Sequence, residues 1–398
     1  MLTGRVRRVR AAALLLSGAL LTAACSGVRP HLADAGPKSG VPGAGGQGGQ
    51  PAAGAPSFTV VASGDVLVHE PIAKQAASDA QLSGALPYDF RPMLAAIKPT
   101  ISAADLAICH LETPIAPASG PFSYYPTFNV PPQILGALAD TGYDTCSTAS
   151  NHTLDKGAAG VSRTLQGLDT VGLRHTGSAR SAAEAASPNI IVVKGVRVAQ
   201  LSYSYGFNGT SVPANQPWLA NQIDPDAILA AARQAKQAGA DVVIVSLHWG
   251  AENQHQPSIE QQALARQLLG DSSVDLIIGC HTHVTQPFQF INGKWVVYGM
   301  GNLIARHDVP TSGNTSGLLA RFTFTQGQDG KWRASRAEYV PTYVDLGPPI
   351  RLIDLPVALA SKALPPKTRN AYAGSVAGTD QVVASMGARA SGLTRGSS

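Results

Sequence analysis

Cysteine is scarce in this chain: four in 398 residues, which excludes a disulfide-dense scaffold. Charge is sparse too, at 14 %, whereas 44 % of the residues are hydrophobic, ample for a large core in one big domain or two ordinary ones. There is no internal repeat and no run long enough to cross a bilayer. The apolar stretch at 11–21 is too short, since a spanning helix needs about 20 residues. What remains is a small basic excess, formally +5, which raises the question of nucleic acid.

That excess sits at the start of the chain. Arg5, Arg7, Arg8 and Arg10 precede the apolar run, and Leu21-Thr22-Ala23-Ala24-Cys25 follows it. A positive flank, a short apolar region and small residues are the layout of a secretory signal. The last five residues also resemble a lipobox, so residues 1–24 are expected to be a lipoprotein signal and Cys25 the lipidated first residue. Losing those four arginines and no acid lowers the charge to +1. A nearly neutral chain has no global electrostatic basis for gripping phosphate backbones.

Residues 26–56 hold nine Gly and five Pro with almost no large apolar side chain, so 25–57 reads as a disordered tether. Order is expected over 58–352. Apolar runs at 58–63, 105–109, 143–149, 241–247 and 274–279 read as buried strands. Helical stretches at 92–102, 131–141, 157–171, 225–238 and 259–269 alternate with them. Residues 189–193 with 196–202, and 288–299, read as hairpins turning on Lys194-Gly195 and Asn292-Gly293. A final strand pair is expected at 318–325 and 332–343. Mixed βα units and hairpins predict a two-sheet α/β sandwich. From 353 to 398 the composition predicts a weakly structured tail.

The polar residues fall at strand ends. Asp65 ends the first run, His110 and Glu112 the second, Asn151 and His152 the third, His248 the fourth, and His281 with His283 the fifth. In open α/β sheets these ends form the ligand-binding edge. Oxygen and imidazole donors without thiolate suit Mn, Fe or Zn. Glu112 has two oxygens with which to bridge two cations, and His281-x-His283 can serve neighbouring ions. Two such ions would activate water for hydrolysis, with Asn151 as a ligand and His152 as a proton donor. Tyr203, Tyr205 and Asn208 form a polar-aromatic loop suited to substrate, and Trp249 and Glu252 flank His248. Asp155 supports the Asn151-His152 loop. Cys109, Cys146 and Cys280 read as buried thiols, with Cys280 turned away from the metals by strand alternation; a Cys109–Cys146 bridge requires neighbouring strands.

Asn-His after a strand, a later solitary His and His-x-His resemble the calcineurin-like metallophosphoesterase superfamily. More closely, the chain resembles the CapA family of capsule (poly-γ-glutamate) biosynthesis proteins. The resemblance rests on Gly64-Asp65-Val66-Leu67, His110-Leu111-Glu112-Thr113-Pro114, Phe128-Asn129-Val130-Pro131-Pro132 and the 149–157 segment around Asn151-His152. It continues through 202–209, His248-Trp249-Gly250-Ala251-Glu252, His281-Thr282-His283-Val284 and Gly301-Asn302-Leu303. It implies the calcineurin-like metallophosphatase fold, two divalent ions held by Asp65, Glu112, Asn151, His248, His281 and His283, and His152 as catalytic imidazole. Leu67 stands where the superfamily has the His of Asp-x-His, leaving one metal site short unless His69 reaches it. His110 replaces an expected Asn and is either a further ligand or a neighbour that orients Glu112. Two functions follow: an exported dinuclear-metal hydrolase acting on an anionic envelope polymer or its precursor, or a non-catalytic surface lipoprotein assisting polymer synthesis, export or anchoring beside membrane synthesis proteins. Export and near-neutral charge disfavour a DNA-acting enzyme.

Overall fold

A computed structural model describes residues 54–84 and 87–397. The expected leader, Cys25 and the tether up to residue 53 lie outside them.

The first sheet opens with β1 (Ser57–Val66), followed in parallel by β2 (Leu106–Leu111), β3 (Thr145–Ser147) and β4 (Arg174–Thr176). The second comprises β5 (Asn189–Val193), β6 (Val196–Ser204), β7 (Val242–His248), β8 (Leu276–Cys280), β9 (Phe288–Ile291) and β10 (Lys294–Val297), in the order β5-β6-β7-β8-β10-β9. The chain then returns to the first sheet with β11 (Asn302–Ile304), β12 (Ser316–Gln326), β13 (Trp332–Asp345), β14 (Arg351–Asp354) and β15 (Thr394–Arg395). The main path there runs β14-β13-β12-β1-β2-β3-β4, with β11 beside β1 and β15 beside β13.

Period-2 alternation explains the layers. Val60 and Ala62 of β1 and Leu106 and Ile108 of β2 meet Val198, Val242, Ile244, Leu276 and Ile278 in a core between the sheets. Their neighbours Val61, Ala107 and Cys109 face outward onto helices through Ile72, Leu94, Ile134, Leu138 and Leu165. On the far face of the second sheet, Val243, Val245 and Ile277 pack against Ile228, Ala232, Ala265 and Leu268. The result is a mixed α/β sandwich of two sheets flanked by helices, as the pattern predicts.

Local signals set the element ends. The helix Pro225–Gln237 starts on Asp224, whose side chain accepts the Asp226 and Ala227 amides, and Ser258 with Gln261 forms a capping box for Ile259–Gly270. Lys194-Gly195 and Asn292-Gly293 all have positive φ, as a type I′ turn requires. The single helix expected at 92–102 is instead two short ones, Arg91–Leu94 and Lys98–Ser102. Pro99 has no amide hydrogen to continue the first into the second.

The expected weak tail is corrected. Residues 355–360 and 366–384 are helical, and Leu355, Tyr372, Val376, Val383 and Leu393 are buried. The Tyr372 hydroxyl donates to Asp345 at 2.7 Å, and Tyr339 donates to Asp380 at 2.7 Å. Composition hid this because few large apolar residues do the anchoring, spaced among Ala, Ser and Gly. Deleting 353–398 is therefore expected to destabilise the domain by at least about 5 kcal/mol, at roughly 1.5–3 kcal/mol per buried large side chain. Urea unfolding of the truncated and full chains checks this; coincident midpoints would refute it.

Candidate metal centre

Both sheets contribute to one rim. Asp65 lies at the end of β1 opposite His110 of β2, and the Glu112 amide bonds to the Val66 carbonyl just beyond. Asn151 and His152 lie in the turn after β3, His248 closes β7, and His281 and His283 follow β8. All seven candidate ligands and the imidazole of His152 are less than 9 % exposed. Ligand atoms of Glu112, His248 and His281 lie within 4.8 Å of one another, and so do those of Asp65, Glu112 and His283. Glu112 belongs to both groups.

Hydrogen bonds join the rim in one network. Ser147 Oγ lies 2.8 Å from His110 Nδ1, and His110 Nε2 lies 2.9 Å from His248 Nδ1. His248 Nε2 in turn lies 3.0 Å from the Asn151 side-chain amide, which is 3.3 Å from that of Asn208. A separation of about 3 Å is what two adjacent ligands of a cation have when each bond is about 2.1 Å.

Other groups agree. Neither Glu112 oxygen has a hydrogen-bond partner, nor has His281 Nδ1, although all three atoms are buried; His283 Nε2 lies 3.8 Å from Glu112 Oε1. Burial pushes Glu112 well above the carboxylate range. Burial also holds the imidazoles neutral: His281 falls to about 3, helped by His283; His110 falls to about 4; His248 falls well below its usual value, with His281 and His110 contributing. Neutral imidazole is the ligand form. The donor set therefore fits divalent cations.

His283 is the exception. Burial alone would lower it, but Glu112, Asp65 and Glu252 more than offset this and raise it to about 9. Its Nδ1 lies 3.0 Å from Asp65 Oδ2. A raised folded value means that His283 stabilises the metal-free domain fully below about 6.5 and ceases to do so as pH rises through about 9. A cation must displace that proton. Metal affinity should accordingly climb between about pH 6.5 and 9, with proton release visible by calorimetry in buffers of different ionisation enthalpy. A pH-independent affinity would contradict this assignment.

His152 stands beside the ligands with its Nδ1 2.8 Å from Asp155 Oδ2, which also accepts the Phe128 amide at 2.7 Å. Tyr205 is 44 % exposed and covers His281 at a ring distance of 4.6 Å, and its hydroxyl bonds the Asn151 side chain. Asn208 lies 3.3 Å from His152 Nδ1. Glu252 is exposed at the mouth, near His281 and His283.

Several expectations are corrected. Tyr203 and Trp249 do not line the rim: both are buried in the core behind the second sheet, where Trp249 donates to the Tyr298 carbonyl at 2.8 Å. In β6, side chains at 203 and 205 would share a face in a regular strand, but the strand ends at Ser204 and Tyr205 escapes the alternation. His110 orients His248, not Glu112. Cys280 is not turned away, since its sulfur lies within 4.8 Å of ligand atoms of Asp65 and His110. The next residue, His281, has φ 96°, which breaks the regular alternation. Cys109 and Cys146 are register partners on β2 and β3 and are disulfide-bonded.

Three participants had no role in the sequence reading: Ser147, Asn302 and His307. Asn302 Oδ1 lies 3.0 Å from His283 Nδ1, and the His307 ring is 4.8 Å from that of His283. Only the Gly-Asn pair after a strand hinted at Asn302. A cavity of about 390 Å³ lies elsewhere, lined by Arg174, His175 and Arg180 among others, and none of the rim residues borders it. Its charges are mutually neutralised, Arg180 by Asp169 and Glu184.

Residues 59–307 match the family model of the bacterial capsule synthesis protein PGA_cap. Over 175 residues the chain is 30 % identical to the capsule biosynthesis protein CapA of Bacillus anthracis, which covers 43 % of this chain and 42 % of the relative. It is 31 % identical over 169 residues to the PGA biosynthesis protein CapA of Bacillus subtilis, covering 42 % and 44 %. The chain thus spans less than half the length of these two relatives. A Mycobacterium tuberculosis protein named "Probable polyglutamine synthesis accessory protein" is 27 % identical over 239 residues, covering 55 % of this chain and 61 % of that one. Among solved structures, the calcineurin-like phosphoesterase YfkN of Bacillus subtilis overlaps 82 % of this chain and 97 % of its own at 14 % identity, with a TM-score of 0.41. A 5'-nucleotidase precursor of Thermus thermophilus overlaps 82 % and 58 % at 13 % identity, with a TM-score of 0.41. Because the family model covers more than half of its length and takes in the whole rim, this chain belongs to the PGA_cap family of bacterial capsule synthesis proteins.

Proposed function

We propose that the chain is an exported, lipid-anchored hydrolase that uses two divalent ions, of Mn, Fe or Zn, to act on an anionic envelope polymer of the poly-γ-glutamate type or on its precursor. One observation carries this reading: Glu112 is buried with no hydrogen bond to either oxygen, between two sets of ligands drawn from opposite sheets. Asp65 and His283 would hold one ion with Glu112; Asn151, His248 and His281 would hold the other. Ions so bound polarise a substrate oxygen and lower the pKa of water.

The chain's own residues supply the rest. Asp155 accepts from His152 Nδ1, which fixes the ring and leaves Nε2 to deliver a proton to a leaving group. Tyr205 and Asn208 stand at the approach. Capsule and poly-glutamate synthesis in the names of the relatives supports the polymer as the substrate class. The lipobox-like Leu21–Cys25 segment and the Gly/Pro-rich residues after it support anchoring outside the membrane beside polymer-synthesis proteins. No helix among the described residues is long and apolar enough to cross a membrane.

A second reading, a non-catalytic accessory lipoprotein, draws on Leu67, which leaves one ligand position apolar. Metal analysis of the purified chain, followed by assays on phosphoesters and on γ-glutamyl amides, separates the two. Two ions and turnover are expected; ions without turnover on either class favour the accessory role, and no ion after reconstitution sinks the hydrolase.

A further inference from the structure

Leu67 is buried among Val68, Ile72 and other apolar side chains and offers nothing to an ion. His69 does not replace it. Its Nδ1 accepts the Arg306 amide at 3.2 Å, so the proton of the neutral ring sits on Nε2, and no lone pair is left for a metal. The His69 ring packs edge-on against Phe128 at 5.5 Å and lies 5.0 Å from that of His307.

We propose that Asn302 is the substitute: its Oδ1 completes the Asp65–Glu112–His283 side of the centre. This rests on the metal-dependent reading above. Parallel pairing of β11 with β1 places Asn302 opposite Asp65. The approach is close enough that a Cβ on Gly64 would fall 1.8 Å from the Gly301 carbonyl oxygen, and the Asp65 amide donates to that oxygen at 3.0 Å. Asn302 is 1 % exposed. Its Oδ1 and Asp65 Oδ2 both lie 3.0 Å from His283 Nδ1. Asp65 Oδ2 and Asn302 Oδ1 thus both address one nitrogen of His283, while Glu112 Oε1 lies 3.8 Å from the other, Nε2.

The amide is held in this sense. Asn302 Nδ2 donates to the Asn314 carbonyl at 2.8 Å and lies 3.3 Å from the His283 carbonyl and 3.1 Å from His307 Nε2. Turning the amide over would set its oxygen against those acceptors. His307 is therefore a positioning residue, and Asn302 is the donor. An amide oxygen is harder than imidazole, so this side of the centre should favour Mn²⁺ over Zn²⁺ relative to a site with a histidine at 67.

The test uses the full chain loaded with Mn²⁺ and dialysed. Mass spectrometry should count two ions per chain for the wild type and one for Asn302→Leu, while Leu67→His in the Asn302→Leu background should restore the second ion and shift its preference toward Zn²⁺. Electron paramagnetic resonance should show coupled Mn²⁺ pairs in the first and third proteins only. If Asn302→Leu does not fold, Asn302→Asp keeps the question open to refutation: it should hold both ions, the second at least tenfold more tightly. Retention of both ions by Asn302→Leu at wild-type affinity, failure of Leu67→His to restore the second, or a single ion in Asn302→Asp would each overturn the proposal. A wild-type chain holding one ion, lost in His248→Ala, overturns it and leaves the metal-dependent reading standing; a chain that binds none overturns both.

Discussion

Glu112→Gln is expected to cut divalent-metal affinity by on the order of 100-fold or more at both positions, since loss of a neighbour that merely orients a ligand already costs about 10- to 100-fold. Glu112 is the one residue common to both ligand groups. Glutamine keeps its size but offers a single neutral oxygen. The metal-free chain should respond far less. There the buried carboxyl has no hydrogen bond, lies 3.8 Å from His283 Nε2 and is already pushed upward in pKa, so a neutral glutamine of the same size and polarity should change its stability little. Calorimetric titration and thermal melts with and without Mn²⁺ measure both halves. A variant that lost stability without metal and still bound two ions would show that Glu112 is an ordinary core acid.

His152→Ala should leave metal content unchanged and slow turnover by about 10²- to 10⁴-fold, the usual worth of a positioned general acid. The separation is possible because His152 spends its Nδ1 on Asp155 and bonds none of the ligating atoms of Asp65, Glu112, His248, His281 or His283. Asp155→Asn should show a smaller loss of turnover, because the ring keeps its place against Phe128, at 4.7 Å, while its Nδ1 exchanges a carboxylate acceptor for a neutral amide. An equal loss of metal and activity in His152→Ala would make the residue structural. Full activity in His152→Ala would remove it from the chemistry.

The strand-end logic that located the rim is simple physics: a parallel sheet carries its C-terminal ends to one edge, so Asp65, Glu112, His248, His281 and His283 could be gathered without coordinates. Continuous apolar runs also marked β1 and β2 as buried strands, and strand alternation set the expected orientation of Cys280. It failed where the backbone left regular extended geometry. His281 and His283 have φ of 96° and 56°, and this put Cys280 on the wrong side of the expectation. Tyr203 was misplaced because the strand ends at Ser204, so it stays in the sheet while Tyr205 enters the loop. Asn302 was legible only as part of a family motif, without a role: it comes beside Asp65 through a strand pairing across more than two hundred residues, which no local pattern records. The helix Pro366–Ala384 was missed because its buried stripe is thin, Tyr372, Val376, Thr379 and Val383 among Ala, Ser and Gly, with tyrosine hydroxyls reaching half-buried carboxylates to help hold it.

The rim also has a mechanical meaning. Asp65, Glu112 and Asn151 ride on the first sheet or its loops, while His248, His281 and His283 ride on the second. Apart from the apolar filling deeper in, what meets across this edge without metal is a few polar contacts, His110 with His248, Asn151 with His248 and Asp65 with His283. A bound ion would add a tie-bar to them, riveting the two sheets at the one edge where substrate must enter. Chelation should therefore unlatch the sandwich from the rim inward, and amide exchange should quicken first in the turn at 148–157 and the segment at 281–286, long before the far edge responds.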